Sequence, residues 1–232
     1  MGKHFETRLD ASVDATPEQV WDAIATGPGI SSWFVGRTTI DDGVVHTRFG
    51  EVDMPPGTVT ASEPPTRFAH RSPAAPDGRF VAYEYLIEAR DRSATVLRTV
   101  TSGFLPGDDW ADEYEAMQYG TEMFFATLVQ YLRHFPGRTA VPVIASGPPV
   151  TDWPATWASL YDTLGLDPSP RAGDRTADGG EVYFVNPHTL GIRTAGALHR
   201  YLRGFHGPLI AAHEIFDGDT DPARWTSLLA TL

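Results

Sequence analysis

The sequence has 232 residues, of which 30 are acidic and 18 are lysine or arginine, and its formal net charge is −12. A surplus of negative charge disfavours binding to polyanions, so we expect neither nucleic acid nor an anionic membrane surface as a partner. The lack of cysteine excludes disulfides, thiolate nucleophiles and cysteine-ligated metals. No stretch of ~18 apolar residues predicts a membrane span and no apolar leader opens the chain, so we expect a cytoplasmic protein without membrane insertion.

The first predicted elements are a strand and two helices. Residues 4–13 alternate between apolar and polar side chains, which is the period of a half-buried strand. Thr16 can cap a helix that the Gly-Pro-Gly sequence at 27–29 brings to an end. A second, short apolar helix then leads to the large aromatic residues Trp33 and Phe34.

A series of antiparallel strands and one long helix follow. Turn residues separate the alternating segments, as in a meander, and these segments are Arg37–Asp41, Val44–Phe49, Gly57–Glu63, Arg67–Arg71, Arg79–Arg90 and Ala94–Phe104. An apolar stripe then predicts a long helix with Asp108 or Asp109 as its cap and a Pro-Gly sequence at 136–137 after its end. We predict an α+β fold in which the curved sheet wraps around this helix and leaves a gap, the candidate pocket.

The remaining part of the chain predicts a smaller α+β domain, so that the two domains comprise residues 1–136 and 137–232. Its predicted elements are strands at 139–146 and 209–216, a hairpin at 181–193, and helices at 152–164, 195–203 and 222–232. Both domains begin with a strand, a proline-containing turn and a tryptophan-bearing helix, and both end with a strand and an Asp-capped helix. The second domain is therefore either a shortened copy of the first or an unrelated appendage.

Three segments together resemble a known family. They are VDATPEQVWDAIATGPGISSWF, YEYLIEARDRSATVLRTVTSGF and DDWADEYEAMQYGTEMFFATLVQYLRHF, and the resemblance covers residues 5–135. They are similar to the heat-shock-protein ATPase activator-like branch of the START/polyketide cyclase (SRPBCC) superfamily. The resemblance implies a helix-grip fold with a deep cavity for a small apolar or amphipathic ligand. Members often carry Trp after the Gly of the long helix, where this chain has Gly120 and Thr121, so the identity of the ligand does not carry over.

The two strands before the long helix hold a candidate acidic residue. If Asp91 and Arg92 form a two-residue hairpin turn, Glu84 lies opposite Thr99 and Leu86 lies opposite Leu97. The resemblance places this face toward the long helix, which would bury Glu84 in the cavity and raise its pKa. The alternative is that Glu84 is solvated at the sheet edge or pairs with Arg71 or Arg98.

The same register leaves an apolar row on the other face of these strands, formed by Tyr83, Tyr85, Ile87, Val96 and Val100. Soluble monomers rarely expose so large an apolar patch. We therefore expect either the carboxy-terminal domain or a second chain to cover it, which makes a homodimer one of the alternatives.

The predicted function is the binding of a small hydrophobic molecule in the candidate pocket. The predicted lining residues are Trp33, Phe34, Glu84, Thr99, Trp110, Tyr114, Met117 and Thr121. Trp33 and Phe34 form either a mobile lid over the pocket or a plug at one end of the core.

Two other functions stay open. An enzyme of the cyclase, dehydratase or hydrolase kind would use Glu84 or His70 for proton transfer, and the family name alone suggests a co-chaperone-like interaction module. We expect no cofactor. We also expect no metal, because His199, His206 and His213 fall on a predicted helix, a loop and a strand and so share no common face.

Overall fold

The structure is a computed structural model that describes residues 2–91, 94–106, 110–204 and 207–232, with the side chains of 91 and 110–113 left out of the description. The chain divides into two compact units, Met1–Thr139 (unit 1) and Ala140–Leu232 (unit 2). Both units combine helices with an antiparallel sheet, so the fold belongs to the α+β class. None of the helices in the described ranges is long and apolar enough to cross a membrane.

Unit 1 contains an antiparallel sheet that, within the described residues, has eight strands. Its elements are β1 (Lys3–Val13), α1 (Pro17–Ala25), α2 (Gly27–Ile30), β2 (Arg37–Asp41), β3 (Val44–Phe49), β4 (Val52–Asp53), β5 (Gly57–Glu63), β6 (Arg67–Arg71), β7 (Phe80–Asp91), β8 (Ala94–Leu105) and α3 (Trp110–His134). The strand order is β1-β8-β7-β6-β5-β3-β2, and the short β4 pairs with β3. The first strand therefore lies beside the last strand of the meander. The helix α3, which is 25 residues long, follows that last strand in the chain.

Local hydrogen bonds explain where the two short helices begin. The Thr16 hydroxyl accepts the amide of Gln19, and the Gln19 side chain accepts the amide of Thr16, which completes a capping box at the start of α1. The Thr26 hydroxyl accepts the amide of Gly29 at the start of α2. Gly29 is required there because a Cβ atom would lie 1.9 Å from the carbonyl oxygen of Asp22.

The register of the β7–β8 hairpin differs by one residue from the predicted register. Tyr85 pairs with Thr99 and Glu84 pairs with Val100. Asp91, predicted to lie in the turn, pairs with Ala94 instead, and the pairing is irregular between Ala89 and Asp91. An irregularity of this kind adds a residue to one strand, and a slip of one residue moves every side chain of that strand to the other face. The helix-facing side of β8 was therefore predicted correctly, but that of β7 was wrong.

The inner face of the sheet, defined as the face that meets the helices, consequently includes Tyr83, Tyr85 and Ile87. The Tyr85 ring meets that of Trp33, and the Phe68 ring meets that of Trp21 on α1. The predicted apolar row on the far side does not exist, since Tyr83, Tyr85 and Ile87 lie inside while Val96 and Val100 alternate with Arg98 on the outer face. The expectation that this row needs a cover, and the homodimer argued from it, lose their basis.

Unit 2 contains a five-stranded antiparallel sheet among its described residues. Its elements are β9 (Val141–Pro149), α4 (Trp153–Leu164), β10 (Glu181–Asn186), β11 (Thr189–Arg193), β12 (Ala197–Arg203), β13 (Pro208–Ile215) and α5 (Pro222–Leu229). The strand order is β10-β11-β12-β13-β9. In unit 2, too, the first strand lies beside the last and a helix follows the last strand.

The predicted helix at 195–203 is wrong, because Ala197–Arg203 form the strand β12. Ala197, Leu198, Tyr201 and Leu202 have the spacing of a helix stripe, yet Leu198 and Tyr201 are both buried from opposite faces of one strand. A strand that is buried on both faces loses the two-residue alternation by which strands are recognised. Pairing with β11 on one side and β13 on the other decides the conformation.

Candidate functional site

Trp33 lies in the core of unit 1. Only 3% of the residue is exposed, and its indole Nε1 donates a hydrogen bond to the carbonyl oxygen of Ala23 at 2.9 Å. Its ring packs edge-on against that of Tyr85, with 6.2 Å between the ring centroids. These contacts are those of a residue that closes the core, which is the plug alternative for Trp33.

Phe34 has different surroundings from its neighbour Trp33. Its ring centroid lies 4.6 Å from that of Phe124 on α3 and 6.0 Å from that of Tyr83 on β7. We call Phe34, Tyr83 and Phe124 the aromatic cluster. Its three side chains come from three different elements, and each of them is only half-buried.

His70 joins the aromatic cluster through Tyr83. The two rings stack with 5.1 Å between their centroids and 28° between their planes. Burial lowers the pKa of His70 to about 4 and raises the pKa of Tyr83 to about 12, because a charged ring would lose its hydration in both cases. Both rings are therefore neutral at pH 7.

The prediction that Glu84 lines the pocket is wrong. Its side chain lies on the outer face of the sheet and is 34% exposed, and Arg67 Nε donates to its Oε1 at 2.7 Å. Arg67 also contacts Glu63, so the three residues form an outer ion-pair network. The alternative of an ion pair was right in kind, although Arg67 takes the place of Arg71 or Arg98.

The other predicted lining residues are divided between the sheet and α3. Thr99 is buried on the inner face opposite Tyr85, and the Tyr114 ring meets that of Phe5 on β1 at 5.9 Å. Met117 and Thr121 are half-buried on α3, where their spacing places them on the same side of the helix as Phe124. The side chain of Trp110 lies outside the described residues, as do Asp108 and Asp109, the predicted caps of α3.

A second cluster, which we call the unit 2 cluster, is formed by His199, His213 and Trp225. It was not predicted from the sequence. The rings of His199 on β12 and His213 on β13 lie 4.7 Å apart, and both contact the ring of Trp225 on α5. The prediction that these histidines share no face is wrong, because it depended on the erroneous helix at 195–203. Their positions in two adjacent strands would have indicated the contact had β12 been recognised. His206 lies outside the described residues.

The geometry of the unit 2 cluster does not indicate a metal site. The Nδ1 atom of His213 accepts the backbone amide of Arg200 at 3.0 Å, so a neutral His213 carries its proton on Nε2 and offers no lone pair there. Across the described ranges, no group of three His, Asp or Glu residues is placed to hold a metal ion. Burial lowers the pKa of His199 to about 4 and that of His213 well below its usual range.

Comparison with known proteins gives distant structural likenesses. No protein-family profile and no curated protein matches the sequence. The solution structure of an Aha1 dimer from Colwellia psychrerythraea is 16% identical, with 56% of this chain and 96% of that chain covered and a TM-score of 0.45.

Two further solved structures give similar values. A Bacillus halodurans protein is 21% identical, with 56% and 97% of the two chains covered and a TM-score of 0.46. A conserved protein of unknown function from Enterococcus faecalis is 13% identical, with 56% and 72% covered and a TM-score of 0.44. Likenesses of this strength carry no argument about function or assembly.

Proposed function

We propose that unit 1 binds a small hydrophobic or amphipathic molecule between α3 and the inner face of the sheet, beside the aromatic cluster. In this proposal unit 1 is a helix-grip domain of the START-like (SRPBCC) superfamily, in its heat-shock-protein ATPase activator-like branch, with the sheet curved around α3. Support comes from the order of its elements: two short helices stand between β1 and β2, β1 lies beside β8, and α3 follows β8.

The observation that carries the proposal is the change in burial along α3. In its second half Leu128, Tyr131 and Leu132 are almost completely buried, as expected of a helix packed on a sheet. Before Leu128, Met117 and Phe124 are only half-buried, although their side of the helix carries the aromatic cluster and the adjacent Met123 is buried. Partly accessible apolar side chains between a helix and a sheet favour a ligand that would remove them from water.

Binding is a better proposal than catalysis for this site. Proton transfer would need a titratable group that reaches the ligand, and Glu84 lies on the outer face in an ion pair with Arg67. His70 remains on the inner face, but the described side chains provide no carboxylate beside it to form an acid–base pair. The co-chaperone alternative still depends on the family name alone.

We also propose that unit 2 is a shortened copy of unit 1. Each unit runs from an edge strand through a helix into a meander, returns its last strand to the side of the first, and ends in a helix. Unit 2 has a four-stranded meander, β10 to β13, and a terminal helix of only eight residues, α5. A repeat would explain why Pro-bearing helices capped by Thr16 and Asp152 follow both first strands.

The aromatic cluster makes the proposed function testable with an uncharged fluorescent dye, N-phenyl-1-naphthylamine. Phe34→Ala and Phe124→Ala should each weaken dye binding about tenfold or more, since loss of a buried aromatic contact costs about 1.5–3 kcal/mol. Fluorescence titration gives the dissociation constants. Thr121→Trp should weaken binding as well, because the larger ring would fill the space beside α3.

A matched control is Val52→Ala, which truncates a residue that is 66% exposed on β4. This variant should bind the dye as the unaltered protein does. If Phe34→Ala, Phe124→Ala and Thr121→Trp, all folded by circular dichroism, also kept the original affinity, the dye would bind elsewhere and the proposal would fail.

A further inference from the structure

We propose that the ligand of unit 1 is an uncharged molecule with an aromatic or other apolar body and one hydroxyl or carbonyl group, and that this group binds at the His70–Tyr83 stack. This inference rests on the proposed function and adds the chemical class of the ligand. It follows from how charge is distributed over the two faces of the sheet and from the hydrogen-bonding groups that remain on the inner face.

Most charged residues of four neighbouring strands lie on the outer face. The pairing of β1, β6, β7 and β8 places on that face the side chains of Glu6, Arg8, Asp10, Arg67, Glu84 and Arg98. The same pairing places on the inner face Phe5, Thr7, Leu9, Phe68, His70, Tyr83, Tyr85, Thr99 and Thr101. Among the described paired residues of these strands, Lys3 is the charged residue whose position in the pairing places it on the inner face. It lies at the exposed start of β1, over the Tyr114 ring.

The titratable residues of the inner face beside the aromatic cluster, His70, Tyr83 and Tyr85, are neutral over a wide pH range. Burial lowers the pKa of His70 to about 4, raises that of Tyr83 to about 12, and raises that of Tyr85 further. A charged ligand would therefore give up its hydration at the cluster without gaining an opposite charge. Desolvation of an unpaired ion is far more costly than desolvation of a hydroxyl or carbonyl group that forms a hydrogen bond.

The His70–Tyr83 stack can supply the hydrogen bonds that such a ligand needs. The two rings contact each other through their faces. Their polar atoms lie at the ring edges and are not covered by this contact. The Nδ1 edge of His70 lies against Gly57, where a Cβ atom would be 2.7 Å from Nδ1, and Nε2 lies away from that contact. A neutral imidazole has one donor and one acceptor nitrogen, and a phenol both donates and accepts, so the pair suits a hydroxyl or a carbonyl.

Four ligands that share a naphthalene ring system distinguish the contribution of the apolar body to affinity from that of the polar group. They are naphthalene, 2-naphthol, 2-naphthoate and 2-naphthylmethylammonium. Isothermal titration of the full chain at pH 7 should give the tightest binding for 2-naphthol, and binding of both ions weaker by about tenfold or more. Tyr83→Phe should bring the affinity for 2-naphthol down to that for naphthalene and leave naphthalene binding unchanged. Tyr161→Phe, which removes a hydroxyl from unit 2, should keep the preference for 2-naphthol.

The outcomes distinguish this inference from the proposed function. If naphthalene binds but either ion binds as tightly as 2-naphthol, the pocket exists and the inference of an uncharged ligand is wrong. If Tyr83→Phe keeps the preference for 2-naphthol, the polar group binds away from the His70–Tyr83 stack and the inference is wrong on that point. If none of the four binds, the proposed function fails, and this inference fails with it.

Discussion

Replacing Trp33 by alanine should lower the free energy of unfolding by about 3–5 kcal/mol, the usual cost of removing a large buried aromatic side chain. The indole is almost completely buried, packs on Tyr85 and donates to the carbonyl oxygen of Ala23. Its loss would leave a cavity and an unpaired carbonyl between α1, α2 and the sheet. Chemical denaturation followed by circular dichroism measures the effect.

Trp33→Phe is the matched control, because it keeps most of the ring packing and removes the hydrogen bond to Ala23. It should cost about 1–2 kcal/mol, the hydrogen bond and the small loss of volume together. A mobile lid would behave differently. If Trp33→Ala left the stability unchanged and altered only ligand affinity, Trp33 would be a lid residue and its place in the core would be wrong.

Acid should destabilise unit 2 because its two core histidines are neutral when folded. The pKa of His199 falls from its ordinary 6.5 to about 4 on folding, so the unfolded chain takes up the proton first as the pH decreases. The stability present above pH ~6.5 is therefore lost progressively toward pH ~4, and from His199 alone the loss by pH ~4.5 is about 2–3 kcal/mol. The lowered pKa of His213 acts in the same direction.

Other charged groups of unit 2 add to this contribution of the histidines or oppose it. Asp178 favours the protonated form of His199, while Arg224 disfavours a charge on either ring. Burial raises the pKa of Glu214 to about 8, although Arg200 contacts it, so Glu214 binds its proton more tightly in the folded state and gains stability as the pH falls. Variants at the histidines keep this opposing contribution of Glu214. The difference in acid-induced loss of stability between the unaltered protein and such a variant therefore reports the contribution of the imidazoles.

The measurement is urea denaturation at about pH 7.5 and about pH 4.5 for the unaltered protein and for the double variant His199→Asn, His213→Asn. An asparagine Oδ1 at 213 can still accept the amide of Arg200. Packing lost through the substitutions lowers the stability equally at both pH values, so it cancels in the comparison. The double variant should lose at least ~2 kcal/mol less on acidification, and His46→Asn, at an exposed site, should lose as much as the unaltered protein. Equal losses in all three would contradict the neutral, buried state of the two histidines.

Local signals made the elements of unit 1 predictable. Thr16, the Gly-Pro-Gly break and the turn residues between the strands act within a few residues, and the corresponding elements begin and end close to the predicted positions. These features need no knowledge of distant contacts, which is why they could be predicted from the sequence. The helix-facing side of β8 was implied by the family resemblance.

The register of β7 and β8 could not be predicted from a local rule. One irregularity between Ala89 and Asp91 exchanged the two faces of β7, so Glu84 moved outside and Tyr83 moved inside. The wrong placement of Glu84 in the candidate site follows from this irregularity. Turn chemistry alone does not reveal whether a hairpin contains an extra residue.

The unit 2 cluster was missed because β12 is buried on both faces. With Leu198 and Arg200 buried on one face and Tyr201 on the other, its apolar spacing imitates a helix. The correct conformation depends on pairing with β11 and β13, which are separate segments of the chain. His199 and His213 meet only through that pairing.

The most direct test of the central claim is to locate a bound uncharged ligand. Intermolecular nuclear Overhauser effects between 2-naphthol and the full chain report which protein protons lie within about 5 Å of the ligand, the range of ring-to-ring contact. We predict contacts from the naphthalene body to the ring protons of Phe34, Tyr83 and Phe124. Contacts confined to unit 2 or to outer-face residues such as Glu84, with none to these three rings, would contradict the proposed site.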